Sequence, residues 1–189
     1  MIPILFLVLN VLFGILIFYL LLAFLTGAPY VPSTKHTAHS MIRLAGINKA
    51  TIVYDLGSGD GRLLNLSMIH GAKKAVGFEI NPYLVFFSRI RFLLSPFRNT
   101  VRIYLKNFWK ANIHDADVVF IYLLPWRMEQ LKQKLLTELK PGALVVSNSF
   151  IFPKWTVLRS DEKTHVYVCK VPNNTTRLIL TSLSSKIQS

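Results

Sequence analysis

A run of alternating glycines constrains this chain more than any other feature. The short β-rich segment Thr51–Leu56 is followed by Gly57, Gly59 and Gly61 at every second position, and a helical pattern begins directly after them. Glycines at a turn from a strand into a helix allow positive φ angles and let a ligand approach the backbone closely. The N-terminus of the following helix offers unpaired N–H groups to an electronegative ligand. The run therefore predicts a turn that binds a nucleotide-like ligand.

The spacing of these glycines separates two kinds of nucleotide site. The dinucleotide fingerprint G-x-G-x-x-G requires a glycine at position 62, where this chain has Arg62. Asp55 instead precedes Gly57-x-Gly59-x-Gly61. This pattern resembles motif I of the class I S-adenosylmethionine (SAM) methyltransferases, and it favours that kind of site over the dinucleotide kind.

A second acidic residue supports the same interpretation. Glu79 lies 24 positions after Asp55, near the end of the apolar segment Ala75–Ile80. In nucleotide-binding folds the second strand presents a ribose-binding carboxylate at an interval of about 20 residues. A carboxylate accepts strong, charge-assisted hydrogen bonds from hydroxyl groups. We therefore expect Glu79 to bind the ribose of the cofactor.

Strand and helix patterns alternate along the chain after residue 50. Five strands are predicted at Thr51–Leu56, Ala75–Ile80, Val101–Leu105, Ala116–Leu123 and Ala143–Ser149, with helices at Gly61–His70, Pro82–Leu93 and Trp126–Leu139. Such β-α repeats indicate a doubly wound α/β sheet whose ligand lies at the carboxyl ends of the strands. Thr164–Val171 and Arg177–Leu183 are predicted to add an antiparallel hairpin. Together these elements predict the seven-stranded, Rossmann-like sheet of a class I SAM-dependent methyltransferase.

The N-terminal residues differ in character from the rest of the chain. Ile2–Leu25 contains no charged residue, and a helix of about 20 apolar residues can span a bilayer. No Lys or Arg precedes Lys35, so the basic start of a cleaved signal peptide is missing. These features predict one uncleaved transmembrane helix. Because all 22 Lys and Arg residues follow it, we expect a single-pass membrane protein with its catalytic domain in the cytoplasm.

These patterns divide the chain into three parts. Residues 1–26 form the predicted transmembrane anchor, and residues 51–189 form the methyltransferase domain. Between them, residues 27–50 are predicted to form a Pro-rich lid and a short helix that Ser33 or Thr34 caps and that ends near Ala45.

The net charge of +13 bears on the partners of the chain. Basic residues gather in two groups, namely Arg89, Arg91, Arg98, Arg102, Lys106 and Lys110, then Lys132, Lys134 and Lys140. Such clusters bind either phosphates of nucleic acid or anionic lipid headgroups. For a domain held beside a membrane we expect an anionic lipid surface and regard nucleic acid as the weaker alternative. The single cysteine, Cys169, excludes a disulfide framework and a multi-cysteine metal site, and no metal site is predicted.

Several motifs, in order and spacing, resemble one particular family. They are Pro29-Tyr30-Val31-Pro32-Ser33, Asp55-Leu56-Gly57-Ser58-Gly59-Asp60-Gly61-Arg62, Gly77-Phe78-Glu79-Ile80-Asn81-Pro82, Asn107-Phe108-Trp109 and Pro141-Gly142-Ala143 through Ser147. The chain resembles the small protein-lysine methyltransferases that include the mitochondrial membrane-anchored enzymes acting on the adenine nucleotide translocase and the ATP synthase c-subunit, and their archaeal relatives. The resemblance covers about residues 26 to 156, and it implies N-methylation of lysine side chains in proteins, expected to be membrane-associated.

The resemblance also implies which residues bind SAM. The expected cofactor-binding residues are Asp55, Gly57, Ser58, Gly59, Gly61, Glu79, Asn81, Asn107 and Phe108. Asn107 departs from the family, which usually has aspartate at this position to accept a hydrogen bond from the adenine amino group. The amide oxygen of asparagine can accept the same bond without a charge, so we expect weaker adenine binding.

Two tyrosines are the predicted catalytic residues. A lysine amine has a reference pKa near 10.4 and must lose a proton before it attacks, and a dry pocket lowers that pKa because burial disfavours the ammonium. By the resemblance, Tyr30 closes over the methionine part of SAM or the target lysine. Tyr122 and Trp126 follow the fourth core strand, whose end faces the methyl group in this fold class.

Two other functions remain open at this stage. Nucleic-acid methyltransferases that modify amino groups usually carry an Asp/Asn-Pro-Pro-aromatic run, which Tyr122-Leu123-Leu124-Pro125 does not match. A SAM-binding membrane adaptor without catalytic activity would keep the glycine turn and need no lysine channel. The sequence does not indicate the substrate protein, the number of methyl groups added or the oligomeric state.

Overall fold

The computed structural model of the chain describes residues 2–26, 32–123, 125–153 and 155–173. The α-helices in these ranges are α1 (Ile2–Thr26), α2 (Lys35–Ala45), α3 (Arg62–Ile69), α4 (Pro82–Leu93) and α5 (Met128–Glu138). The strands are β1 (Ile52–Leu56), β2 (Lys74–Glu79), β3 (Val101–Leu105), β4 (Val118–Ile121), β5 (Leu144–Asn148), β6 (Val157–Asp161) and β7 (Val166–Lys170). Short 3₁₀ turns lie at Phe108–Lys110 and Pro125–Arg127.

The seven strands form one mixed sheet in the order β3-β2-β1-β4-β5-β7-β6. Strands β1 to β5 run parallel, whereas β7 is antiparallel to both β5 and β6. The order reverses between β1 and β4, which is the point where open α/β sheets bind their ligands. The predicted seven-stranded, doubly wound sheet is therefore confirmed.

Helices cover both faces of this sheet. One core cluster joins α2, α3 and α4 to the sheet, and the other joins α5 to the opposite face. The central strand β4 has apolar side chains on both of its faces. Val118 and Phe120 belong to the cluster with α2, α3 and α4, whereas Val119 and Ile121 belong to the cluster with α5. A strand that is apolar on both faces is typical of the middle of a parallel sheet, as its sequence predicted.

Helix α2 is fastened to the sheet by its cap and by its apolar side. The Thr34 hydroxyl oxygen accepts a hydrogen bond from the Thr37 N–H at 3.1 Å, a contact that satisfies a free donor of the first helical turn. Ala38, Met41 and Ile42 are buried against the same core as α3. The prediction of a short capped helix ending at Ala45 is confirmed, whereas the division of the chain into three parts stays a prediction.

The C-terminal hairpin differs from its prediction. The strand predicted at Thr164–Val171 exists as β7, but its hairpin partner is β6, which precedes it in the chain. The sequence pattern missed β6 because most of this edge strand is exposed and shows no apolar alternation. The other predicted strand, Arg177–Leu183, lies outside the described residues.

The predicted transmembrane anchor is contradicted. Within the described part of the chain, no helix has the combination of length and apolar character that crossing a bilayer requires. The prediction rested on the whole uncharged stretch Ile2–Leu25. The predicted single-pass membrane localisation is wrong by the same finding.

Candidate functional site

The glycine turn lies at the carboxyl end of β1, beside the point where the strand order reverses. Gly57, Gly59 and Gly61 have φ angles of 92°, 53° and 76°, a region that L-residues with a side chain rarely adopt. The N–H groups of Gly57 and Ser58 both donate to the Phe78 carbonyl, at 2.9 and 3.0 Å. These two hydrogen bonds fix the turn to β2 and leave its other side accessible to a ligand.

A glycine in the middle of β2 supports this turn and was not predicted to do so. A Cβ atom at Gly77 would lie 2.6 Å from the Ser58 hydroxyl oxygen and 2.7 Å from a methyl group of Leu64. Only a glycine lets the turn and the start of α3 pack this closely on the strand. An isolated glycine inside a strand pattern is the signal that indicates such a close approach.

Glu79 is held at the end of β2 by three backbone donors. Its carboxylate accepts hydrogen bonds from the N–H groups of Gly59 at 2.9 Å, of Ile80 at 2.8 Å and of Asn81 at 2.8 Å. These bonds orient the side chain toward the glycine turn, which lies twenty residues earlier in the chain. A carboxylate has about four acceptor positions, so it can still accept a hydroxyl group of a ligand.

Two adjoining clefts run along this edge of the sheet. The first contains about 630 Å³ of empty space, part of which is open solvent, and is lined by Pro32, Ser33, Met41, Asp55, Gly57, Ser58, Gly59, Asp60, Arg62, Leu63, Glu79, Ile121 and Tyr122. The second contains about 280 Å³ of such space and is lined by Gly57, Phe78, Glu79, Ile80, Lys106, Asn107 and Phe108. Because Gly57 and Glu79 line both clefts, they mark the junction of one elongated site. An elongated ligand fits this shape.

The first cleft contains buried polar side chains, among them the carboxyl group of Asp55 and the hydroxyl group of Ser58. Burial raises the pKa of Asp55 to about 8, and the nearby charges of Glu79 and Asp60 act in the same direction. The Ser58 hydroxyl oxygen is also buried and has no hydrogen-bond partner among the described residues. A buried carboxyl group without a cation is costly, so the site has the properties expected of a receptor for a positively charged ligand.

An arginine connects the glycine turn to the segment in front of α2. The Arg62 guanidinium donates to the Ser33 carbonyl oxygen and holds both oxygens of the Asp60 carboxylate at 3.0 Å. Burial tends to raise the pKa of Asp60, but the hydrogen bonds and charge of Arg62 outweigh it and lower that pKa. The Ser33 segment is thereby fastened over the first cleft, a contact that the glycine motif did not reveal.

The adenine side of the predicted site is built on the 3₁₀ turn after β3. Asn107 and Phe108 line the second cleft, and the Asn107 side-chain oxygen accepts the Trp109 N–H at 3.0 Å. The buried ammonium of Lys134 donates to the Ala111 carbonyl at 2.6 Å and so steadies this turn from α5. The sequence predicted that Lys134 belongs to a cluster of basic surface residues, because nothing in the local pattern indicates that its side chain is buried.

The structure brings most, but not all, of the predicted site residues together. Tyr122 lines the first cleft with 37% of its surface exposed. Asn81 is used instead as the N-cap of α4, where its side-chain oxygen accepts the Tyr83 N–H at 3.0 Å. Gly61 is likewise the N-cap of α3 and lines neither cleft. Tyr30 lies outside the described residues.

Comparison with known proteins places this site in a family. Residues 55–159 match the family model described as the ANTKMT methyltransferase domain, and this stretch contains the glycine turn, Glu79, Asn107 and Tyr122. The chain belongs to this methyltransferase family. The family resemblance predicted from the sequence motifs is confirmed.

Three curated relatives show the range of the family. The lysine N-methyltransferase of the ATP synthase c-subunit from Mus musculus is 36% identical over 128 residues, which cover 68% of this chain and 51% of that protein. The protein-lysine N-methyltransferase of Saccharolobus islandicus is 37% identical over 71% of this chain and 84% of its own length. The adenine nucleotide translocase lysine N-methyltransferase of Mus musculus is 34% identical over 67% of this chain and 55% of its own. The chain thus matches about half the length of both mouse relatives.

A solved structure shares both fold and sequence with this chain. It is an RNA methyltransferase from Salinibacter ruber in complex with S-adenosyl-L-homocysteine, with a TM-score of 0.71 and 33% identity. The superposition covers 76% of this chain and 95% of that one. The sheet of this chain is therefore a class I methyltransferase sheet.

Proposed function

We propose that this chain transfers a methyl group from SAM to the side-chain amine of lysine in a protein substrate. The observation that carries the proposal is the match of residues 55–159 to a family in which three relatives bear lysine N-methyltransferase names. That stretch contains the residues of both clefts except Pro32, Ser33 and Met41. The site and the family therefore support the same chemistry.

The two clefts suit SAM as the cofactor. SAM, when bound, supplies a methyl group activated by a sulfonium. Asp55 and the glycine turn are suited to its positively charged methionine part, because a buried carboxyl group gains most from a cation. Glu79, at the junction of the clefts, is placed to accept the ribose hydroxyl groups, and Asn107 and Phe108 to hold the adenine. The Ser58 hydroxyl group, which has no hydrogen-bond partner among the described residues, offers one further polar contact.

The lysine substrate would enter the first cleft beside Tyr122. Met41 and Ile121 supply apolar walls there, and Pro32 and Ser33 lie on the side fastened by Arg62. Such a pocket removes water from the incoming ammonium and lowers its pKa, so the ammonium can give its proton to water and become the neutral amine that attacks. Alignment of that amine with the methyl group can then provide most of the rate. Tyr122 is proposed to orient the amine, and Tyr30 to close the pocket.

Methylation of RNA is the second candidate function. The Salinibacter ruber structure is named an RNA methyltransferase at 33% identity, and the net charge of +13 favours contact with phosphates. The run Tyr122-Leu123-Leu124-Pro125 after β4 weighs against the chemistry of amino-methylating nucleic-acid enzymes. A third alternative, a SAM-binding adaptor without catalysis, predicts binding of SAM and no transfer.

One labelling experiment distinguishes these functions. The purified full-length chain is incubated with an extract of cells that lack it and with SAM carrying a radioactive methyl group, and the label is followed into protein and RNA. Acid hydrolysis of the protein fraction should release labelled methyl-lysine. A matched reaction with the Glu79→Ala variant should show little transfer, which controls for other enzymes in the extract. Label confined to nucleosides would replace lysine methylation by RNA methylation, and SAM binding without transfer would support the adaptor.

A further inference from the structure

Helix α4 is apolar on the side that faces away from the sheet as well as on its packed side. Its buried side consists of Val85, Ser88 and Phe92. The outer stripe consists of Phe86, Phe87, Ile90, Leu93 and Leu94, which are 59, 66, 41, 67 and 82% exposed. A helix packed on one side of a sheet normally presents polar residues to water on its other side. The outer stripe is therefore an apolar surface that the described part of the chain leaves uncovered.

The charged side chains in the chain segment that carries the outer stripe are all basic. From Ile80 to His114 the sequence contains no acidic residue. The same stretch contains six exposed basic residues, which are Arg89, Arg91, Arg98, Arg102, Lys106 and Lys110. Of these six, only Arg91 forms an ion pair within the described residues, at 3.9 Å from the Asp60 carboxylate. The segment that carries the stripe is thus both apolar and strongly positive.

The position of the arginines limits what can cover this surface. At 100° per residue, Arg89 and Arg91 flank the stripe on opposite sides of the helix. A second copy of the chain, packed stripe to stripe, would bring like charges of the two copies together and be disfavoured. A surface with an apolar interior and negative charge at its boundary would match both features.

We propose that the outer stripe of α4 rests on an anionic lipid surface. The aromatic rings of Phe86 and Phe87 would enter the boundary between headgroups and acyl chains, where amphipathic helices place their apolar face. The surrounding basic side chains would face the headgroup charges. The basic clusters in the sequence predicted an anionic lipid partner but did not indicate which residues would contact it. The outer stripe of α4 is the proposed contact surface. This peripheral contact needs no helix that crosses the bilayer and does not depend on the proposed methyl transfer.

A fluorescent label on the stripe tests this contact in the full-length chain. Cys169 is fully buried, so an environment-sensitive dye such as NBD can be directed to a new surface cysteine in the Leu93→Cys variant. The matched control is Leu158→Cys, whose parent side chain is 45% exposed on the edge strand β6 at the opposite end of the sheet. Both labelled proteins are mixed with vesicles of phosphatidylcholine alone or with added phosphatidylglycerol.

The proposal predicts a blue shift of the dye at position 93 with anionic vesicles only, which high salt reverses, and no shift at position 158. Adding Phe87→Asp to the Leu93→Cys protein should raise the lipid concentration needed at least about tenfold, given the apolar area of one phenylalanine. The Lys106→Glu variant should reduce the blue shift of the dye at position 93, although Lys106 is not a residue of the outer stripe.

Three results would overturn the proposal. One is vesicle binding with no shift at position 93, which would assign any lipid contact to another part of the chain. Another is an equal shift with neutral vesicles. The third is a shift without vesicles that grows with protein concentration, which would show that a second copy covers the stripe.

Discussion

Replacing Asp55 by asparagine should remove a pH dependence from SAM binding. Burial raises the pKa of the Asp55 carboxyl group to about 8 in the free protein, so the group is mostly protonated at neutral pH. A cationic ligand binds the ionised form more tightly. As pH rises toward about 8, more of the protein therefore carries the binding-competent carboxylate, and the affinity for SAM should increase.

The size of this effect follows from the pKa. About one tenth of the Asp55 carboxyl groups would be ionised at pH 7, and about one hundredth at pH 6. Because apparent affinity scales with the competent fraction, SAM should bind about tenfold more weakly at pH 6 than at pH 7. In the Asp55→Asn variant the affinity should be lower above about pH 8 and should lack this slope.

Isothermal titration of SAM between about pH 6 and pH 9 measures both quantities. SAM has ionisable groups of its own, so the profile of Asp55→Asn serves as the matched control, and the difference between the two profiles isolates Asp55. Binding of SAM to the parent should also release a proton, which titration in buffers of different ionisation enthalpy detects. Parallel profiles for parent and variant would refute the assignment of Asp55 as the receptor for the positive charge.

Three further predictions test other parts of the site. Glu79→Ala should weaken SAM binding by about 2–3 kcal/mol, since a charge-assisted contact is lost; titration values equal to those of the parent would show that the ribose lies elsewhere. Tyr30→Phe should lower turnover on protein lysine about tenfold or more at nearly unchanged SAM affinity, and unchanged turnover would contradict its catalytic role. Gly77→Ala should lower the free energy of unfolding by about 1–3 kcal/mol through overcrowding, as measured with urea. The control Gly14→Ala, where nothing lies within 4 Å of the added Cβ, should not lower that value, because alanine favours a helix over glycine.

Much of the fold could be predicted from short-range patterns. Alternating apolar strands and helices located β1 to β5 and α4, and Asp55 with the glycine run located the turn that carries the site. Local backbone preference and apolar periodicity decide such features, because both act over a few residues. Strand β6 was not predicted, since an exposed edge strand buries too few side chains to produce an apolar pattern in the sequence.

The assembly of the site depended on contacts between distant residues. The sequence by itself determined that Asp55, Glu79 and Asn107 each lie at or just beyond the end of a strand, and parallel strands bring such ends to one edge. Only the tertiary structure decided that Glu79 lines both clefts. It also decided that the Asn81 side chain caps α4 and that Arg62 donates to the Ser33 carbonyl oxygen, 29 residues earlier in the chain. The physical reason is that hydrogen bonds and burial depend on which groups packing brings within about 3 Å, and no local sequence pattern encodes that distance.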